Sequence, residues 1–110
     1  VHLANSNINI AKKEALNKTK LVDFLTLSFQ YYFYIEAEDI PGVMASITSM
    51  FAEKKVGIES IVQKEDLAEN MVPIVLITDP FIEKDHKELI SNILNLDSVN
   101  KVRSIRIEAD

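Results

Sequence analysis

The residues best suited to chemistry lie in one short stretch, EAEDIPGVMASI, at positions 36–47. Pro41 fixes its own backbone angle and ends the preceding run, while Gly42, which lacks a Cβ, allows a sharp turn and the close approach of a ligand. The helix-like run that follows would present free amides at residues 43–45, which favour a carboxylate. Asp39 is placed to accept a hydrogen bond from an ammonium group. The loop therefore offers a place for each end of a zwitterion, although a plain tight turn with a capping aspartate has the same pattern.

Catalytic and metal chemistry have little support in this sequence. The chain has no cysteine, which excludes disulfides, thiol catalysis and thiolate metal sites. Gly42 and Gly57, its two glycines, are too far apart for a dinucleotide fingerprint. His2 and His86 are isolated, so we expect both to be exposed rather than bound to a metal. We therefore expect no catalytic residue, no metal and no cofactor in this chain.

Charge and hydropathy limit the partners. The net charge is −5, from 12 basic and 17 acidic residues, and a field of that sign repels phosphate backbones and anionic lipid. No apolar run approaches the roughly 20 residues of a membrane helix, and the polar start does not resemble a signal peptide. We expect a cytoplasmic protein that binds neither nucleic acid nor membranes.

Strand-like and helix-like patterns alternate from Tyr31 onward. In YYFYIEAE, alternation puts Phe33, Ile35 and Ala37 on one face of a strand. The run VMASITSMFAEKK has helical spacing, VGIESIVQK and MVPIVLIT are typical of strands, and a second helix is expected to start near Asp79 and Pro80. A last strand, SVNKVRSIRIEA, completes the order β-α-β-β-α-β. This order predicts an α+β fold, a ferredoxin-like βαββαβ sandwich whose four-stranded antiparallel sheet carries two helices on one face. Residues 1–30 are predicted to be a linker or an accessory N-terminal segment, and residues 31–110 the domain.

Some positions carry more specific expectations. The alternating residues Val56, Ile58, Ser60 and Val62 should share one face of the second strand. Pro73 argues for a bulge or a strand start within MVPIVLIT. The charged run between positions 83 and 88 is expected to form a solvated helix face, and the basic side chains of the last strand, Lys101, Arg103 and Arg106, a surface edge.

Other functions of the same fold fit this sequence poorly. An RNA-recognition module needs aromatic residues on its middle strands with basic residues around them, but MVPIVLIT has no aromatic residue and the chain is acidic. A phosphate-hydrolysing relative would need an arginine after the first strand, where the sequence has EDIPG. The loop at Asp39 therefore remains the most informative feature.

The stretch from Tyr31 to Glu108 resembles an ACT domain, and most closely the carboxy-terminal regulatory ACT domain of homoserine dehydrogenase. Three features carry this resemblance: the Tyr-Tyr opening, the DIPGV turn, and the strand IESIVQK followed by PIVLIT. The turn is common to ACT domains, whereas its combination with residues 58–64 is more specific.

The resemblance implies regulation rather than catalysis. ACT domains pair side by side and hold an effector amino acid between the loop after the first strand and the second strand of the partner. In the homoserine dehydrogenase setting, the effector is threonine, acting in feedback control of aspartate-family biosynthesis. The NAD(P)-dependent catalytic domain would be attached or associated. Carried over by position, the effector site has Asp39, Ile40, Gly42, Val43, Met44 and Ala45 on the loop side and Ile58, Glu59, Ser60 and Ile61 on the strand side.

Two positions depart from the family pattern. Lys55 stands where the first helix usually ends in glycine, which leaves its left-handed end in question. Gly57 stands where amino-acid-binding relatives often carry Asn or Ser, so a side-chain hydrogen bond to the ligand is lost. The alternative function is therefore a structural dimerisation module with a degenerate effector site.

Overall fold

The computed structural model describes residues 2–65, 68 and 70–108, with side chains described from residue 9 onward. The chain order of its elements is α1 (His2–Leu25), β1 (Ser28–Glu38), α2 (Val43–Glu53), β2 (Ile58–Gln63), β3 (Met71–Thr78), β4 (Phe81–Ile82), α3 (Glu83–Leu94) and β5 (Val99–Ile107). The predicted β-α-β-β-α-β order is confirmed. The structure adds α1 before it and the short β4 before α3.

The sheet has the strand order β2-β3-β1-β5, and every pairing is antiparallel. Strand β4 pairs with the start of β1, where Ser28 lies opposite Ile82 and Phe29 opposite Phe81. The longest strand, β1, therefore has partners on both sides, while β2 pairs only with β3 in the described part of the chain. The predicted ferredoxin-like arrangement is confirmed.

The core lies between one face of the sheet and the helices α2 and α3. Burial alternates along β1, with Phe33, Ile35 and Ala37 fully buried, as the sequence predicts. Large apolar side chains from both helices and from β3 meet them, and these are Ile47, Phe51, Ile74, Leu76, Leu89 and Ile93, all at 0% exposure. The hydrophobic effect thus fixes which face of the sheet the helices cover.

Strand β2 differs from its prediction. The pairing with β3 is irregular between Ile58 and Ser60. Ile58 packs against the core, whereas Val62 pairs with Val75 and is 45% exposed. The predicted single face from residue 56 to residue 62 is wrong, because an irregularity of this kind moves the following side chains to the other face.

The expected bulge or strand start at Pro73 is also wrong, since Pro73 lies inside β3 and its register with β1 is continuous. The Pro73 carbonyl accepts a hydrogen bond from the Lys64 N–H at 2.9 Å. In an antiparallel strand the nitrogen and carbonyl of one residue face the same neighbour. The N–H that proline lacks would therefore face the place where β2 ends.

The predicted second helix begins later than expected, at Glu83, because Phe81 and Ile82 form β4. The expectation of exposure for His86 is wrong: it is 9% exposed, and its ring stacks on Tyr31 with centroids 3.7 Å apart. Its Nε2 lies 2.7 Å from Ser104 Oγ, and its Nδ1 lies 3.4 Å from Glu83 Oε1. Burial lowers the pKa of His86, and the neighbouring Glu83 carboxylate offsets part of this effect.

Glu83 was predicted to belong to a solvated helix face, but it is 7% exposed. The rest of the charged run is less buried, and Lys84, Lys87 and Glu88 are exposed. The first turn of α3 therefore faces the sheet with two ionisable side chains, Glu83 and His86, beside the buried Tyr31.

The N-terminal segment forms the helix α1, whose side chains from residue 9 to Asp23 are exposed. Phe24 contacts Phe29 of β1, and the Arg106 guanidinium lies 4.1 Å from the Phe29 ring centroid, a distance at which cation–π attraction acts. Strand β1 starts at Ser28, three residues before the predicted strand. The division of the chain at residue 30 remains a prediction. Among the described residues, none of the helices has the length and apolar character required to cross a membrane.

Candidate functional site

The loop after β1 is closed by a type II turn. Gly42 has φ 86° and ψ −9°, the values of the third residue of such a turn, and Pro41 is the residue favoured just before it. The Val43 N–H closes the turn on the Ile40 carbonyl at 3.3 Å. A Cβ built at Gly42 meets nothing within 4 Å. Within one chain the glycine is therefore required by its backbone angle, and the space in front of it is open.

Two of the three predicted free amides remain available in this loop. The Val43 N–H is engaged by Ile40, and the Ser46 N–H donates to the Gly42 carbonyl at 2.9 Å. Within the described ranges, the Met44 and Ala45 N–H groups have no acceptor. They point from the amino end of α2, where the helix dipole also favours an anion.

Asp39 is exposed and does not cap α2, because the N-cap residue is Gly42 and has no side-chain cap. Two backbone bonds of 2.7 Å anchor the loop: Asp39 N–H donates to the Asn70 carbonyl, and Glu38 N–H donates to the Ser98 carbonyl. The loop is therefore held by the residues that flank β3 and β5. The Asp39 carboxylate is left facing solvent beside Ile40, which is 45% exposed.

The strand side of the predicted site is mostly open to solvent. Glu59, Ser60 and Ile61 are exposed, and Ile58 is half-buried. Glu59 already accepts a hydrogen bond from the Gln30 side chain. The backbone of β2 on the side away from β3 is unpaired in the described part of the chain.

The two halves of the predicted site lie at opposite ends of the sheet. Ile61 pairs with Leu76, which pairs with Phe33 across β3. Glu38, next to the loop, is five residues further along β1, a distance of about 17 Å at about 3.4 Å per residue. A single amino acid cannot span this distance, so one chain does not bring the two halves together.

The end of α2 resolves the question raised by Lys55. This residue has φ 57°, so it adopts the left-handed conformation despite being a lysine. Lys55 N–H donates to the Ala52 carbonyl and Val56 N–H to the Phe51 carbonyl, both at 2.9 Å. These two bonds form a Schellman motif, which turns the chain from α2 into β2.

The uncovered face of the sheet contains a feature that the sequence reasoning missed. A groove of about 310 Å³ lies between β1 and β5, lined by Tyr32, Tyr34, Glu36, Lys101, Arg103 and Ile105. The Tyr34 hydroxyl donates to Glu36 Oε1 at 3.0 Å. Desolvation and this bond raise the pKa of Tyr34. Alternation along β1 and β5 indicates which side chains of each strand face outward. That the two outward sets lie side by side follows only from the pairing of β1 with β5. No group of three metal-binding side chains occurs among the residues that the structure describes.

The described part of the chain is a small α+β module in which β2 has one unpaired edge and the amino end of α2 has two unpaired amides, those of Met44 and Ala45. The sequence model of the ACT domain matches residues 31–95. The chain therefore belongs to the ACT domain family, and the resemblance inferred from the sequence is confirmed.

Comparison with known proteins gives more specific relatives. The chain is 33% identical to a homoserine dehydrogenase of Pseudomonas aeruginosa over 97 residues, which is 86% of this chain and 22% of that protein. The structure of a homoserine dehydrogenase from Thiobacillus denitrificans matches with a TM-score of 0.68 and 36% identity, covering 77% of this chain and 19% of the other. The chain thus spans about a fifth of the length of these enzymes.

The ACT domain of a GTP pyrophosphokinase from Chlorobium tepidum matches with a TM-score of 0.57 and 19% identity, over 71% of this chain and 99% of that one. This likeness concerns the fold alone. Nearly the whole of that ACT domain aligns with 71% of this chain.

Proposed function

We propose that this chain is a regulatory amino-acid-binding module that senses threonine between two copies joined through their β2 edges. The sensed signal would act on the catalytic part of a homoserine dehydrogenase, either attached or associated. The relatives named above support the enzyme setting, and the feedback logic of an end-product effector favours threonine over other amino acids.

The observation that carries the proposal is the position of the two half-sites at opposite ends of the sheet. If two β2 strands pair antiparallel about a two-fold axis, the start of one strand lies beside the end of the other. The loop at Asp39 of one copy then approaches residues 58–61 of the second. Within one chain the two half-sites are separated by about 17 Å along the strands. In the paired assembly each half-site would lie beside the complementary half-site of the other copy, which gives two composite sites.

The two edges of the sheet differ in a way that supports pairing through β2. Strand β2 has no lysine or arginine, and Ile61 and Val62 are 37% and 45% exposed. Strand β5 contains Lys101, Arg103 and Arg106, and such basic residues are a common protection of free edges. The β2 edge, which has no basic residue, is therefore the edge through which two copies must pair to form the proposed site.

The chemistry of the loop matches an α-amino acid. The Met44 and Ala45 amides can donate to its carboxylate at the amino end of α2, and the Asp39 carboxylate can accept from its ammonium group. Gly57, which offers no side chain, favours the second candidate, a dimerisation module without an effector. Both candidates predict a dimer, and only the first predicts binding.

Thermal unfolding with each of the twenty amino acids separates the two candidates. An effector present at 100 times its Kd stabilises the folded state by about 2.7 kcal/mol, so threonine should raise Tm in a concentration-dependent way. Gly42→Val should abolish this rise, because its side chain fills the open space in front of the turn. Gly42→Ala is the control for backbone strain, and each variant is compared with itself in the absence of ligand. If none of the twenty raises Tm, the sensing function is wrong; if Gly42→Val responds like the wild type, the ligand binds elsewhere.

The pairing is tested with two matched substitutions. Val62→Lys adds a charge to the β2 edge and should convert the dimer to a monomer in sedimentation equilibrium. Ile105→Lys adds the same charge to β5, where the wild-type residue is 63% exposed, and should leave the dimer intact. The reverse pattern would assign the interface to β5 and refute the composite site.

A further inference from the structure

Asp79 lies where a side chain of residue 57 would otherwise be. A Cβ built at Gly57 would overlap Asp79 Oδ2 and lie 3.1 Å from Asp79 Cγ. The Asp79 N–H donates to the Gly57 carbonyl at 2.9 Å, which ties the end of β3 to the start of β2. The space that a side chain at position 57 would fill is thus occupied by the carboxylate of the residue that directly follows β3.

This carboxylate is available for binding. Both Asp79 and Gly57 are exposed, and the Asp79 side chain has no hydrogen-bond or ion-pair partner among the described residues. The backbone bond to Gly57 holds the Asp79 main chain beside the start of β2, and the exposed carboxylate can accept a hydrogen bond from a ligand there.

We propose that Asp79 is a further ligand-binding residue, which accepts a hydrogen bond from the ammonium group of an amino acid held by the loop of the second copy. This inference rests on the proposed function, because only pairing through β2 brings Asp79 of one copy towards Asp39 of the other. The composite site then has a carboxylate from each chain around the ammonium group and helix amides around the carboxylate. The ligand class is an α-amino acid with a free, charged amino group.

The inference gives Gly57 a role that differs from simple loss of a side chain. Any residue with a Cβ at position 57 must displace the Asp79 carboxylate, since the two would overlap. Gly57→Ala should therefore weaken binding although it removes no polar group. Because Gly57→Ala and a substitution of Asp79 act through the same carboxylate, their effects on binding should not add.

The test measures the affinity of the whole chain for L-threonine by isothermal titration calorimetry. A hydrogen bond to a charged group contributes about 1.5–3 kcal/mol, so Asp79→Asn should weaken binding about tenfold to a hundredfold. Gly57→Ala should weaken it to a similar degree, and the double variant should bind no more weakly than the weaker single one. Glu14→Gln, which removes an exposed carboxylate from α1, should bind as the wild type does. N-acetyl-L-threonine, which lacks the charged amino group, should not bind to the wild type.

The outcomes separate this inference from the proposed function. Wild-type affinity in Asp79→Asn would overturn the role of Asp79 and leave the sensing function intact. Additive losses in the double variant would show that Gly57 and Asp79 act separately, which also overturns it. A monomeric Asp79→Asn in sedimentation would assign Asp79 to subunit pairing instead. If the wild type binds none of the twenty amino acids, the sensing function fails, and the inference fails with it.

Discussion

Lys55 holds a backbone conformation that is costly for a lysine, with φ 57° at the end of α2. The left-handed region costs a residue with a Cβ about 1–2 kcal/mol. Glycine avoids this cost but loses about 0.5–1 kcal/mol more conformational entropy on folding. The difference predicts that Lys55→Gly stabilises the fold by about 0.5–1 kcal/mol. The Schellman bonds from Lys55 and Val56 use backbone atoms only, so the substitution keeps them.

Urea unfolding measures this gain, and the protein concentration is held fixed because the proposed dimerisation would also contribute to stability. In a thermal scan the same gain raises Tm by about 2–8 °C, from about 4–8 °C per kcal/mol for a domain of this size. Asn70→Gly is the matched control, because Asn70 has φ 63° but asparagine tolerates this region well. Its stability should change by less than that of Lys55→Gly. A neutral or destabilised Lys55→Gly would show that Lys55 is not strained, and would refute the reasoning.

Two further predictions concern buried polar side chains, one in β3 and one in α3. Thr78 is fully buried, and its Oγ1 accepts from the Tyr31 N–H at 3.1 Å, so Thr78→Val should cost about 1–3 kcal/mol by leaving that donor unpaired. Urea unfolding checks this, with Thr78→Ser as the variant that keeps the hydroxyl and should lose less. His86 has a lowered pKa in the folded state, chiefly because it is buried, so the unfolded chain binds its proton more readily. Its contribution to stability is therefore complete above the unfolded pKa of about 6.5 and is lost as the pH falls below that value. The unfolding free energy should drop more between about pH 7.5 and about pH 5.5 in the wild type than in His86→Gln, and an equal drop in both proteins would contradict this assignment.

The sequence predicted those elements in which one periodicity dominates. Alternation in β1 identified Phe33 and Ile35 as core residues, and the continuous apolar run of β3 identified a strand in the middle of the sheet. Both follow from burial of apolar surface, which a single segment records in its own pattern. The two-residue strand β4 was not predictable, because Phe81 and Ile82 are too few to show a period.

The errors at β2 and α3 have a common physical origin. His86 lies three and seven residues before Leu89 and Ile93, and this helical spacing places it on the buried side of α3. The prediction of exposure followed from the polarity of His86 instead of from its spacing. Only the fold shows that the Tyr31 ring and the Ser104 hydroxyl contact it in the interior. The irregularity in β2 likewise depends on the pairing with β3, which one strand cannot reveal.

The candidate site was predictable in composition but not in geometry. The type II turn at Pro41 and Gly42 follows from local chemistry, and so do the unpaired amides at the amino end of α2. That the other half of the site lies at the far end of the sheet follows only from the register of β1, β3 and β2. The sequence around Gly57 does not indicate that Asp79, twenty-two positions later, occupies the space beside it.

The backbone bonds of the loop indicate how an effector could act beyond its own contacts. The loop is held by the carbonyls of Asn70 and Ser98, which directly precede β3 and β5. A ligand that binds this loop and the β2 strand of a second copy therefore links the end of β1 in one copy to the start of β2 in the other. Binding energy that depends on both contacts is available only when the two sheets hold one relative position, so the ligand favours that position over others. A module that binds its effector within one chain would have no such effect on the arrangement of two subunits.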